Sequence, residues 1–144
     1  MWREIRAVSL AIGILAVSIL LSGMRLAQAA PRARPQPLHV VLTANPLSVA
    51  PRQKTTLEVK VTSNGVPLPG AEVRLQAGGG AFGSSGKLTS TVQTTGKTGS
   101  CSDSWSYPNQ DFAPGGYGLQ ATVAKKGYVE QTVEVVVKIV LKAK

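Results

Sequence analysis

Residues 64–77 read NGVPLPGAEVRLQA. Asn64-Gly65 is a turn dipeptide, because both residues accept a positive φ at little cost. Pro67 and Pro69 fix φ and withhold backbone donors, so this rim is expected not to pair with another strand. Gly70 then admits a run that alternates, with Val73 and Leu75 on one side and Glu72, Arg74 and Gln76 on the other. A period of two marks a strand with one face on a core. The stretch reads as a structural corner between two antiparallel strands, not as a site.

The same alternation extends outward from the corner. Residues 55–63 place Leu57, Val59 and Val61 inward against Glu58, Lys60 and Thr62. Residues 38–44 place Leu38, Val40 and Leu42 on one face, with His39 and Thr43 on the other. Between these two runs, NPLSVAPRQK (45–54) holds two prolines and reads as a kinked edge segment. Downstream, GGGAFGSSG (78–86) reads as a long glycine-rich loop, and strands are expected at 87–94, 100–107, 117–124 and 129–141. Tyr117, Leu119, Ala121 and Val123 share a face. The last strand turns Val133, Val135, Val137, Ile139 and Leu141 inward, and Val136 and Val140 imply cover on its other side too. No 3.6-residue period is long enough for a helix. About seven strands with regular turn signals predict an all-β, two-sheet sandwich of about 100 residues.

Three stretches carry a family resemblance. Gly65 to Leu75 fits G-x-P-L-x-G-A-x-V-x-L, Phe82 sits in the glycine-rich segment, and Thr95 to Pro108 fits T-x-x-x-G-x-x-x-x-x-W-x-x-P through Gly99 and Trp105. This set resembles bacterial immunoglobulin-like domains of the invasin and intimin type. The closing Y-x-x-x-A-x-x-x-K-x-G-Y, from Tyr117 to Tyr128, is shared with carboxypeptidase-regulatory-like and transthyretin-like domains. The resemblance covers about residues 38–141. It implies an immunoglobulin-like β-sandwich that serves as a spacer or binding tip on a cell surface, although a single domain departs from the tandem arrays of that family.

The first residues are of another kind. Arg3 and Arg6 precede an uncharged apolar run over residues 7–24, and Ala27-Gln28-Ala29 is the small-x-small pattern of a cleavage site. Residues 1–29 are expected to be a signal helix, cleaved after Ala29 or Ala30. An uncleaved anchor is the alternative, since about 18 apolar residues just span a bilayer. Both put the rest of the chain outside the cytoplasm, with membrane contact only if the segment is kept. Residues 30–37 form a proline-rich basic linker, and residues 38–144 the sandwich. The leader's three arginines and one glutamate account for +2 of the formal +9, leaving +7. A basic exported domain is drawn to anionic polymers, yet its lysines and arginines are scattered. Cys101 stands alone, so the fold must hold without an internal disulfide.

Chemistry-bearing constellations are sparse. His39 is the single histidine, and serines lack a G-x-S-x-G elbow. One His, one Cys and isolated acids make neither a zinc nor a calcium pattern. Gly78 to Gly83 fits G-x-G-x-x-G, but no helix follows to hold a phosphate. Nucleic-acid binding would need a basic stripe interleaved with stacking residues, and none is present. The expectation is therefore a non-enzyme without cofactor or metal and with no nucleic-acid partner. Asp103 shares its predicted face with Cys101 and Trp105, which should be the core. A register shift, an edge position, a hydrogen bond to loop amides or a cross-link to a lysine would each account for it. Tyr107, Phe112 and Tyr128 lie near loops and are the candidate ligand-contact residues. The expected function is a secreted or envelope module acting by binding, adhesion or spacing on an unidentified polymer or protein. The alternative is a carbohydrate- or polymer-binding accessory domain using those three aromatics.

Overall fold

The corner at residues 64–77 joins the two sheets of a sandwich. The computed structural model describes residues 33–83, 88–108 and 114–141. They lie in one compact unit, Ala33–Lys144. The expected signal helix lies outside the described residues. Ten strands follow in chain order: β1 (His39–Asn45), β2 (Ser48–Val49), β3 (Lys54–Ser63), β4 (Val66–Pro67), β5 (Glu72–Ala77), β6 (Ala81–Phe82), β7 (Ser90–Thr94), β8 (Ser100–Ser106), β9 (Gly115–Ala124) and β10 (Gln131–Ile139). One sheet has the order β1-β3-β8-β6, with β4 on β3, and the other has the order β2-β10-β9-β5-β7.

The alternation predicted from the sequence fixes the core. Leu57, Val59 and Val61 of β3 and Val73 and Leu75 of β5 are buried, and so are Leu119, Ala121 and Val123 of β9. Trp105 and Phe82 are the largest side chains between the sheets, both wholly buried. Two facing layers of alternate residues thus exclude water from one continuous apolar cluster.

The three two-residue strands are where the sequence reading falls short. Asn64 (φ 51°) and Gly65 (φ 79°) both take positive φ, as a tight two-residue hairpin turn needs. The rim therefore does pair: Thr62 stands opposite Pro67 and Ser63 opposite Val66. Leu68 N–H, not a proline, supplies the bond to Val61 O (2.9 Å). Thr95 then pins the corner from inside, accepting from Ala71 N–H (2.9 Å) and donating to Leu68 O (2.7 Å).

The kinked edge segment is a change of sheet. β1 pairs with β3 in the first sheet, and β2 pairs in parallel with β10 in the second. The Asn45-Pro46 peptide bond between them is cis. Buried Thr55 holds the crossing by donating to Pro46 O (2.6 Å). The glycine-rich segment is likewise no free loop, since Ala81 and Phe82 pair with Ser106 and Trp105. At the other extreme, Leu141 was expected inward but is 66% exposed, because β10 ends at Ile139 and the chain has left the sandwich. Val136 and Val140 are exposed as well, so no described element covers the outer side of that strand.

The last residues of the expected linker also take part. Gln36 N–H donates to Gly127 O and Val129 N–H to Gln36 O, both at 2.9 Å. This bridge fixes the chain's entry beside Tyr128.

Candidate binding surfaces

Aromatic residues gather at the end of the sandwich where β8 finishes and β9 begins. Trp105 and Tyr117 have ring centroids 5.9 Å apart, and Tyr107 and Tyr117 5.0 Å apart, both pairs tilted. These are favourable aromatic geometries. The glycine run roofs the group. Trp105 donates its indole N–H to Gly79 O (3.0 Å). Tyr107 and Tyr117 are half-buried and pack against the core. Tyr117 was read from the sequence only as a core-facing residue, yet it is the partner that Tyr107 has. Its inward parity was visible, but its meeting with Tyr107 depends on which strand ends share one side.

Tyr128 belongs to the opposite end. It follows β9, with its N–H on Lys125 O (3.1 Å) in the turn to β10. Seven residue steps along extended β9 carry the chain from Tyr117 to Ala124, a span of about 23 Å. The structure therefore brings Tyr107 to Tyr117 and does not bring it to Tyr128. Phe112 lies outside the described residues. Tyr128 lines a shallow hollow of about 630 Å3 with Gly70, Glu72, Lys125, Lys126 and Glu130. Lys125 Nζ donates across it to Pro69 O.

A second surface is the outer face of the sheet that ends in β7. Strand register sets Ser90, Gln76, Gln120 and Glu134 in one row across β7, β5, β9 and β10. Gln120 Nε2 donates to Glu134 Oε2 (3.4 Å). The row lines an open hollow of about 530 Å3 floored by Ala77, Gly78 and Gly118. Gln76, Gln120 and Glu134 were legible as outward-facing from their own strands; Ser90 was not, because it shares its face with the exposed Val92. Their alignment comes from pairing between strands far apart in sequence.

Asp103 resolves as an edge residue. It stands opposite Leu57 on the inward face of β8, where β6 no longer covers the strand. Its carboxylate accepts from Gln93 Nε2 (3.1 Å) and Ser104 N–H (2.7 Å). No described lysine is bonded to it. Burial, and then the neighbouring Asp103 carboxylate, push the Cys101 thiol above its ordinary value. A thiol held protonated is a poor nucleophile. His39 is exposed on β1. Among the described residues no group of three His, Cys, Asp or Glu side chains is placed to hold a metal ion.

No protein-family model and no curated protein matches the sequence. Among solved structures the chain is similar to the D00-D0 domain of Intimin, at 17% identity and a TM-score of 0.54. The likeness covers 76% of this chain and 50% of that one, so the chain spans half the length of the intimin structure it matches. At that identity the likeness speaks for the fold alone. The fold is that of the bacterial immunoglobulin-like domains of the invasin and intimin type, the one that the residues from Gly65 to Pro108 resemble.

Proposed function

We propose that this protein is an exported, cell-envelope immunoglobulin-like module that works by non-catalytic binding, adhesion or spacing. The observation that carries the reading is the structural likeness to the intimin segment. The amino-terminal apolar run and the small-x-small motif support export. The charge of +7 outside the leader supports attraction to an anionic envelope polymer. In this reading the surfaces act through shape and charge, and no bond is made or broken.

A second reading, recognition of a carbohydrate-like polymer, is favoured by the row Ser90–Gln76–Gln120–Glu134. Amide and carboxylate groups at strand spacing, about 4.8 Å, offer donors and acceptors at regular steps to a chain of hydroxyls lying across the sheet.

The test is retention of the purified unit Ala33–Lys144 on washed envelopes at low and at high salt. Retention that survives high salt supports specific binding, and Gln120→Ala with Glu134→Ala then asks whether the polar row is the contact. Retention lost with salt reduces the contact to charge alone. No retention at either salt leaves the spacer role and removes both binding readings.

A further inference from the structure

The outer face of the second sheet has glycines where strands ordinarily carry side chains. Gln76, Gln120 and Glu134 set the outward parity of β5, β9 and β10. By that parity Gly78, Gly116 and Gly118 are outward positions too, and Gly78 N–H carries the ladder on to Gly118 O (3.2 Å). Glycine weakens a strand. None of the three takes the left-handed φ that would call for it. Packing does not call for it at Gly78 either, where an added Cβ would meet only Gly118 O, at an ordinary 3.8 Å. At Gly118 the added atom would lie 2.5 Å from Glu134 Oε1, the far end of a flexible side chain. The fold therefore tolerates a side chain at both positions. A strand glycine that the fold does not need marks a place where another group approaches the backbone closely.

The walls of the hollow say what kind of group that is. Gln76, Gln120, Thr89 and Ser90 edge it, and their amides and hydroxyls can each donate and accept. Among the described lining residues no apolar side chain is larger than alanine, whereas a protein partner would be met by aromatic or aliphatic anchors. No lysine or arginine lines it, so a phosphate or a uronate finds no counter-charge and meets the Glu134 carboxylate instead. Glu134 Oε2 is held by Gln120 Nε2 (3.4 Å), while Oε1 lies over Gly118. An ionised oxygen there is a strong acceptor for hydroxyl donors.

We propose that this trough binds an uncharged polysaccharide laid across the strands. Its ring faces rest on the bare backbone at Gly78 and Gly118. Its hydroxyls meet the amides of Gln76 and Gln120 and donate to Glu134. The hollow of about 530 Å3 is of the size that holds small ligands, and it is open, so a chain can run on past it along the row. This inference rests on the polymer-binding reading given above and deepens it. It makes the ligand non-acidic, the opposite of what the charge of +7 outside the leader would collect by itself.

The test is a nuclear magnetic resonance titration of isotope-labelled Ala33–Lys144, whose core lies wholly within that unit. The probes are short oligosaccharides of β-glucan, mannan and chitin, with oligogalacturonate as the acidic counterpart, each up to about 10 mM so that millimolar affinities register. At least one uncharged sugar should shift the side-chain amides of Gln76 and Gln120 and the backbone amides of Gly78 and Gly118, equally at low and at high salt. Galacturonate should not. Gly78→Ala and Gly118→Ala should weaken the binding by about tenfold or more, while far-UV circular dichroism is kept and melting stays at or above that of the wild type. Glu134→Gln should admit galacturonate. Shifts centred elsewhere, a wild-type preference for galacturonate, or full affinity in both alanine variants overturns the trough and leaves polymer binding by another surface. No shift with any uncharged sugar overturns the trough and the polymer-binding reading together.

Discussion

Replacing Gly80 by alanine tests the roof over Trp105. Gly80 has φ +75°, and a Cβ there would lie 2.5 Å from Trp105 Cζ2 and 2.6 Å from Cε2. The indole cannot retreat, because it is wholly buried and held by Gly79 O. Two costs add. Left-handed φ costs an L-residue about 1–2 kcal/mol, and overpacking a close-packed core costs about 1–3 kcal/mol. The expected loss is about 2–5 kcal/mol, a large part of the ~5–15 kcal/mol that holds a domain together. Gly83 supplies the control. It has φ +74° with nothing within 4 Å of the added atom, so Gly83→Ala carries only the backbone cost. Trp105 is the one tryptophan of Ala33–Lys144, so its fluorescence during urea unfolding reports the transition directly. Gly80→Ala should lose about 1–3 kcal/mol more than Gly83→Ala. Equal losses, within about 0.5 kcal/mol, would refute the view that the glycine run is there to let backbone lie on the indole.

Thr95→Val should cost about 1–3 kcal/mol by the same denaturation measurement, because it strands the buried Ala71 N–H and Leu68 carbonyl. Val73→Asp should abolish cooperative unfolding, since it puts a carboxylate where exposure is 0%. Lys60→Ala, on the solvent side with only an exposed ion pair to Glu58, should change stability by less than about 0.5 kcal/mol; a folded Val73→Asp protein with wild-type melting would contradict the strand parity. Cys101 adds a pH dependence. Its thiol is raised by burial first and by Asp103 second, so the folded chain keeps a proton that the unfolded chain gives up. That contribution is full below the unfolded thiol's pKa and is lost as pH rises through the folded value. Asp103→Asn removes the smaller cause, lowers the folded pKa and should speed alkylation of the native thiol at a fixed alkaline pH; an unchanged rate would leave burial as the whole cause.

The sequence made the long strands legible because each has one wet face. Leu57, Val59 and Val61 announce β3 by a period of two, and Leu119, Ala121 and Val123 announce β9 in the same way. The short pieces were hidden for a physical reason. β2 and β6 have two residues each, too few for a period, and they exist because a partner strand lies alongside. Pro67 misled because a proline lacks a donor, yet β4 bonds through Leu68 N–H instead. Asp103 broke its strand's pattern because β6 covers only the last residues of β8, and no local sequence feature states where a neighbouring strand ends. The aromatic candidates fared by geometry. Tyr107 and Tyr128 are both near loops, but β9 carries the chain from one end of the sandwich to the other between Tyr117 and Ala124. Which tyrosine meets which is set by long-range register.

The change of sheet between β1 and β2 also decides how the module would carry a load. The chain enters beside Tyr128 at one end and leaves past Ile139 at the other. β2 and β10 run parallel, bonded by Lys138 N–H to Leu47 O (2.8 Å) and Val140 N–H to Val49 O (3.0 Å). Tension between the two ends pulls these strands along their own axes in opposite directions. The bonds are then strained together in shear, not opened one after another like a zipper. Under the proposed envelope role, this small parallel contact and the β1–β3 ladder would together resist lengthening of the sandwich.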